Sequence, residues 1–122
     1  MGLITRNIAH EPQVTLAKLF RRHAIDLDAL DFFIHVPLKE TKLDYFRAIR
    51  NSLAINPARA YACGDEYQDY AIALATGMHP FMVAYGFEGY ERLRHKFGVP
   101  AEVISRHPEE FRARVEHALD IT

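Results

Sequence analysis

The sequence predicts an α/β fold, a mostly parallel sheet flanked by helices, and three observations carry that expectation. Short apolar runs of strand length alternate with stretches whose apolar residues recur every three or four positions, the written form of repeated strand–helix units. The run Phe32 to Val36 is apolar or aromatic almost throughout, as a strand buried on both faces requires. With 122 residues, 49% of them hydrophobic, the chain can build one real core and is too short to argue for two. A single Rossmann-like domain over residues 1–122 is therefore expected.

In chain order, the first strand is Gly2 to Thr5. After it Leu16, Leu19, Phe20, His23 and Ala24 share one helical face, with Pro12 tolerated near the helix start. Phe32 to Val36, stopped by Pro37, makes the second strand, and Phe46, Ile49 and Leu53 form the stripe of a helix that Asn56 and Pro57 end. A third strand spans Ala60 to Cys63 and runs into the polar turn Gly64-Asp65-Glu66. The alanine-rich helix through Ala71, Ile72, Ala73 and Ala75 can close on Gly77 in the left-handed conformation. Phe81 to Ala84 is the next strand; Tyr90, Leu93 and Phe97 form a short helix closed by Gly98 before Pro100. A last short strand covers Val103 and Ile104, and the final helix, starting between Ser105 and Pro108, turns Phe111, Val115 and Ala118 inward and its arginines outward. No repeat, linker or low-complexity segment interrupts this order.

Composition removes several function classes. Lys plus Arg number 15 against 16 Asp plus Glu, so no large single-sign field exists to hold nucleic acid or an anionic membrane. No apolar run approaches the roughly 20 residues that span a bilayer. The lone Cys63 has no internal disulfide partner, and Met1 to Arg6 lacks the layout of a signal peptide. A soluble, reducing, cytoplasmic setting is expected.

In open parallel sheets, ligands sit beyond the carboxyl ends of the strands, so the polar residues after each run are the candidates. Thr5 is followed by Arg6 and Asn7, the second strand by Lys39 and Lys42, and the third by Asp65, Glu66 and Asp69. Asp65 and Asp69, four apart at the mouth of a helix, suit Mg²⁺, which takes one or two carboxylates with water and substrate phosphate completing its shell. The plainer alternative has Asp69 capping the helix and Asp65 stabilising its positive end. Lys42 or Lys39 can neutralise a phosphate, and the Thr5 hydroxyl can bond to one, although each also reads as an ordinary surface or turn residue. His23, His35, Cys63, Tyr85, Phe87 and Tyr90 read as packing residues. No Gly-x-Gly-x-x-Gly follows any strand, which argues against dinucleotide binding.

The order of these motifs resembles the second, third and fourth motifs of the haloacid-dehalogenase-like (HAD-like) hydrolases: Gly2-Leu3-Ile4-Thr5, then Lys42-Leu43-Asp44-Tyr45-Phe46, then Gly64-Asp65-Glu66-Tyr67-Gln68-Asp69 leading to Ala75-Thr76-Gly77-Met78. Met82-Val83-Ala84-Tyr85-Gly86-Phe87 and Pro108-Glu109-Glu110-Phe111 are similar to phosphoglycolate-phosphatase-type members. The resemblance implies a Mg²⁺-dependent phosphatase acting on a small phosphorylated substrate. In it, Thr5 would bond the transferring phosphoryl group with Arg6 and Asn7 beside it, Lys42 would offset its charge with Lys39 as fallback, and Asp65 and Asp69 would hold Mg²⁺.

One part of the pattern is missing. The family's first motif, an apolar strand followed by Asp-x-Asp, supplies the nucleophile and the general acid and base. Here Asp26-Leu27-Asp28 has the letters but follows a helical stretch, so it reads as a helix-to-strand loop. The resemblance implies a core lacking its nucleophile strand and cap, incomplete or inactive alone. The central gap would be closed by direct pairing of its neighbours, by a second copy of the chain, or by an N-terminal segment in trans. A rival expectation is a non-catalytic HAD-like module that binds or assembles through its sheet edge.

Overall fold

The computed structural model describes residues 2–5, 22, 31–37, 39–86 and 88–119. The chain divides into two compact units, Met1–Leu53 and Ala54–Thr122.

In the first unit, β1 (Gly2–Thr5) pairs in parallel with β2 (Phe32–His35), Gly2 opposite Phe32 and Thr5 opposite His35. A Cβ on Gly2 would run into the Phe32 ring as it stands. Val36, directly after β2, is fully buried. A turn closed by the Glu40 N–H on the Pro37 carbonyl (3.0 Å) leads into α1 (Lys42–Ser52), which packs against β1. Thr41 starts this helix: its backbone is extended and its Oγ1 accepts the Asp44 N–H at 3.4 Å, satisfying one of the amides that a helix start leaves without a partner. Asp44 in the first turn and Arg50 in the last complement the helix dipole. Of the expected stripe, Phe46 and Ile49 are half-buried, whereas Leu53 lies just past the helix and is half exposed. Apart from Arg22, the helix expected between Pro12 and Ala24 lies outside the described residues.

The second unit is a three-stranded, all-parallel sheet in the order β3 (Tyr61–Gly64), β4 (His79–Val83), β5 (Ile104–Ser105). Helix α2 (Tyr67–Thr76) packs on β3 and β4, and α3 (Pro108–Ala118) on β4 and β5. This is the predicted α/β architecture. The core gathers around β4: Met82, Leu93, Val99 and Ile104 are buried together, with Tyr67, Tyr70, Ala84, Tyr90, Phe97 and Val103 packed around them. Buried Ala62 alternates with exposed Tyr61 and Cys63 along β3, so the sheet face carrying those two is only partly covered.

Strand bounds differ from the sequence expectation by one or two residues, and the differences have causes. The strand β4 begins at His79, two residues earlier than expected, and includes Pro80, a residue that normally argues against a strand interior. It is tolerated because N–H groups point to alternate sides along a strand. His79 donates to Ala60 on the β3 side (2.9 Å) and Ala84 to Ser105 on the β5 side (2.8 Å), so the amide Pro80 lacks would face β5, which pairs only from Met82 onward. Val103 belongs to a 3₁₀ turn (Ala101–Val103), which moves β5 to Ile104–Ser105.

Gly77 (φ 76°) closes α2 in the left-handed conformation, as expected. The segment after β4 is helical at Tyr90 and Glu91 and then widens to a π turn over Arg92–Lys96, with the Phe97 N–H bonding the Arg92 carbonyl at 3.1 Å. In α3, Arg112 is exposed as expected, but Arg114 is not turned out to solvent. Its guanidinium donates to the Ile104 carbonyl at 2.7 Å and to the Ser105 hydroxyl at 3.4 Å, providing donors to a strand end where Ser105 is completely buried.

Candidate metal and phosphate site

The carboxyl end of β3 delivers the chain directly into the start of α2, and both candidate metal ligands lie on this junction. Asp69 is the third residue of α2. Its Oδ2 accepts the Glu66 N–H at 3.1 Å, and Glu66 and Asp69 cap the helix reciprocally. The capping role anticipated as the plainer alternative is thus real. Gly64 makes the geometry possible: a Cβ there would collide with the Asp69 side chain. Asp65 is held from the other side by the turn after β4. A Cβ on Gly86 would come within 2.6 Å of the Asp65 Cβ and 3.0 Å of its Cγ, and the Asp65 carbonyl accepts the Glu88 N–H at 3.3 Å. Both aspartates are partly buried.

Glu88 escaped the sequence reading, and it is the charged residue most deeply placed beside this junction. Its side chain is buried, its Oε2 accepts the N–H of Tyr67, the first residue of α2, at 3.1 Å, and its Oε1 faces Arg92 Nε at 3.4 Å. A negative charge there is favoured by the helix dipole. A signal for it existed: Glu88 sits between Gly86 and Gly89 just past an apolar run, the position already used to pick out residues after β1, β2 and β3.

The other candidates belong to the first unit. Thr5 ends β1. Lys42 is the first residue of α1 and partly exposed, whereas Lys39 sits exposed in the preceding turn. A cation at a helix N-terminus opposes the dipole, a local conflict of the kind found where function overrides stability. Arg6 and Asn7 lie outside the described residues.

A family model described as HAD-hydrolase-like matches residues 42–109, more than half of the chain. The chain belongs to the HAD-hydrolase-like family. Searches of curated proteins and of solved structures gave no match. The matched segment holds Lys42 and the Gly64–Asp69 junction, and Thr5 falls before it.

The donors at the HAD-like junction suit Mg²⁺. Carboxylate oxygens are the hard ligands it prefers, and it needs few of them because water and phosphate complete its shell. Among the described residues no group of three or more His, Cys, Asp and Glu is placed to hold a metal. Among those residues, too, no helix is long and apolar enough to cross a membrane.

Proposed function

We propose that the chain carries the magnesium- and phosphate-binding half of a HAD-type phosphomonoesterase. The observation that carries this reading is the Gly64-Asp65-x-x-x-Asp69 junction at the end of a parallel strand. There the Glu66 amide holds Asp69, and Gly64 and Gly86 leave room for the Asp69 and Asp65 side chains, inside a segment that also supplies Lys42 at a helix start. In this reading Asp65 and Asp69 hold Mg²⁺, Lys42 offsets the charge of the phosphoryl oxygens, and the Thr5 hydroxyl, with Arg6 and Asn7 beside it, orients them. The metal would supply charge stabilisation for the phosphoryl group. The substrate class is a small phosphate monoester, with phosphoglycolate-type substrates the nearest match to the motifs.

In this reading the attacking carboxylate and the general acid come from a segment outside these residues, since Asp26-Leu27-Asp28, the one Asp-x-Asp of the sequence, follows a stretch that reads as helical. Positioning an anion without an attacking group gives binding but no turnover. Among the described residues strand β3 is terminal in its sheet, and an edge of this kind offers backbone groups to a further strand, from a separate segment or from a second copy of the chain. The rival reading, a non-catalytic assembly module, uses the same edge and makes no use of Asp65.

Hydrolysis of p-nitrophenyl phosphate in Mg²⁺ tests the proposal. The 122-residue chain should show no turnover above background, and turnover should appear when a strand ending in Asp-x-Asp is supplied, then vanish again in Asp65→Asn. Activity of the chain alone would mean that the nucleophile lies within these residues and would overturn the assignment. A complex with the supplied strand that forms tightly, stays inactive and ignores Mg²⁺ would favour the assembly module.

A further inference from the structure

We propose that Glu88 is a positioning residue for Asp65, gripping the metal-binding junction from the turn after β4; the inference rests on the phosphohydrolase reading above. Among the described residues the buried polar or charged side chains are Thr76, Ser105 and Glu88, and of these only Glu88 ionises as a carboxylate. A buried charge is costly unless it is paired and hydrogen-bonded, so a carboxylate retained here calls for a reason.

Its contacts supply one, since they fall on the first residue of the two-residue link between β3 and α2 and on the first residue of α2 itself. The Glu88 N–H holds the carbonyl of Asp65 at 3.3 Å, and the Glu88 Oε2 holds the amide of Tyr67 at 3.1 Å. Between them, the Glu66 amide is held by Asp69 at 3.1 Å. The turn that presents Glu88 is pinned by an antiparallel bridge between Tyr85 and Gly89, and within it Gly86 lies directly against the Asp65 carboxylate. The carboxylate is steadied in turn. Arg92 Nε faces it at 3.4 Å, the Arg92 guanidinium lies 5.3 Å from the centre of the Phe97 ring, and Phe97 stacks on Tyr67 with ring centres 4.6 Å apart and planes 7° from parallel. The π turn over Arg92–Lys96 lies between Arg92 and Phe97. Glu88, Arg92, Phe97 and Tyr67 thus close a ring of contacts whose last member is the first residue of α2. The ring fixes where the backbone leaves Asp65, and so where its carboxylate points.

Glu88 contacts the backbone at residues 65 and 67 and acts on a metal only through Asp65. Outer residues that orient ligands in this way typically change metal affinity about 10–100-fold when removed. Mg²⁺ titrations of the ¹⁵N-labelled chain, read at the amides of residues 65–69, test the proposal. Glu88→Ala should raise the Mg²⁺ midpoint about tenfold while the amides of Met82 and Ile104 keep their shifts. Glu88→Gln, which still has an oxygen to accept the Tyr67 N–H, should recover most of that loss. If Glu88→Ala does not fold, Glu88→Asp keeps the charge but withdraws the carboxylate by one methylene, and the same weakening is expected. Wild-type affinity in the folded Ala or Asp variant, or a Gln variant as weak as Ala, overturns the proposal. Asp65→Asn is the control. If it abolishes binding while Glu88→Ala does not weaken it, positioning fails alone; if Asp65→Asn binds Mg²⁺ like the wild type, the phosphohydrolase reading fails and takes this inference with it.

Discussion

At the scale of single residues, the junction is governed by what two glycines leave out. Gly64 gives up a side chain so that Asp69 can lie against the end of β3, and Gly86 does the same for Asp65. Gly64→Ala should therefore cost about 1–3 kcal/mol, the usual cost of forcing extra volume into a packed site; a denaturant melt measures it, and an unchanged midpoint would mean that Asp69 moves aside freely. Cys63, next to Gly64, reaches solvent, yet partial burial pushes its thiol above the ordinary value. The thiolate is the reactive form, so iodoacetamide at pH 8 should alkylate Cys63 more slowly than it alkylates a free cysteine, and an equal rate would contradict the burial. The sign for stability follows from the same shift. The folded state holds the thiol proton more tightly than the unfolded chain, so this contribution is present at low pH and is lost as pH rises through the folded value. The aspartate pair was legible because two carboxylates four apart at a helix mouth form a local pattern. Glu88 was not picked out, because its role depends on a contact with Tyr67 across 21 positions of sequence.

The elements themselves were readable where their ends carry their own chemistry. Gly77 and Gly98 both adopt positive φ, as their places after a helix demanded. Thr41 caps α1 through a bond to the Asp44 amide, and Thr41→Ala should cost about 1 kcal/mol. Hydrogen exchange read at the amide of Asp44 would show it as faster opening of the first turn, and unchanged protection would mean the cap contributes nothing. Expectations slipped where tertiary structure decides. Pro80 is admitted to β4 only because β5 starts late, Arg114 turns inward only because the end of β5 needs donors, and the π turn at Arg92–Lys96 follows no local signal that separates it from an ordinary helix.

For the molecule as a whole, the α/β class was legible from the alternation of strand and helix patterns, while the proposed function comes from combining that class with the order of three motifs. Among the described residues the first unit holds two strands, and the second holds three with the buried Met82 core. We propose that Asp65 and Asp69 of the second unit hold magnesium at the end of β3. A Mg²⁺ titration of the ¹⁵N-labelled chain, run on the wild type and on Asp65→Asn, decides it. In the wild type Mg²⁺ should move the amides of residues 65–69 while that of Ile104 stays in place, and Asp65→Asn should abolish those shifts. Shifts at residues 65–69 that are absent in the wild type, or that persist unchanged in Asp65→Asn, would contradict the reading.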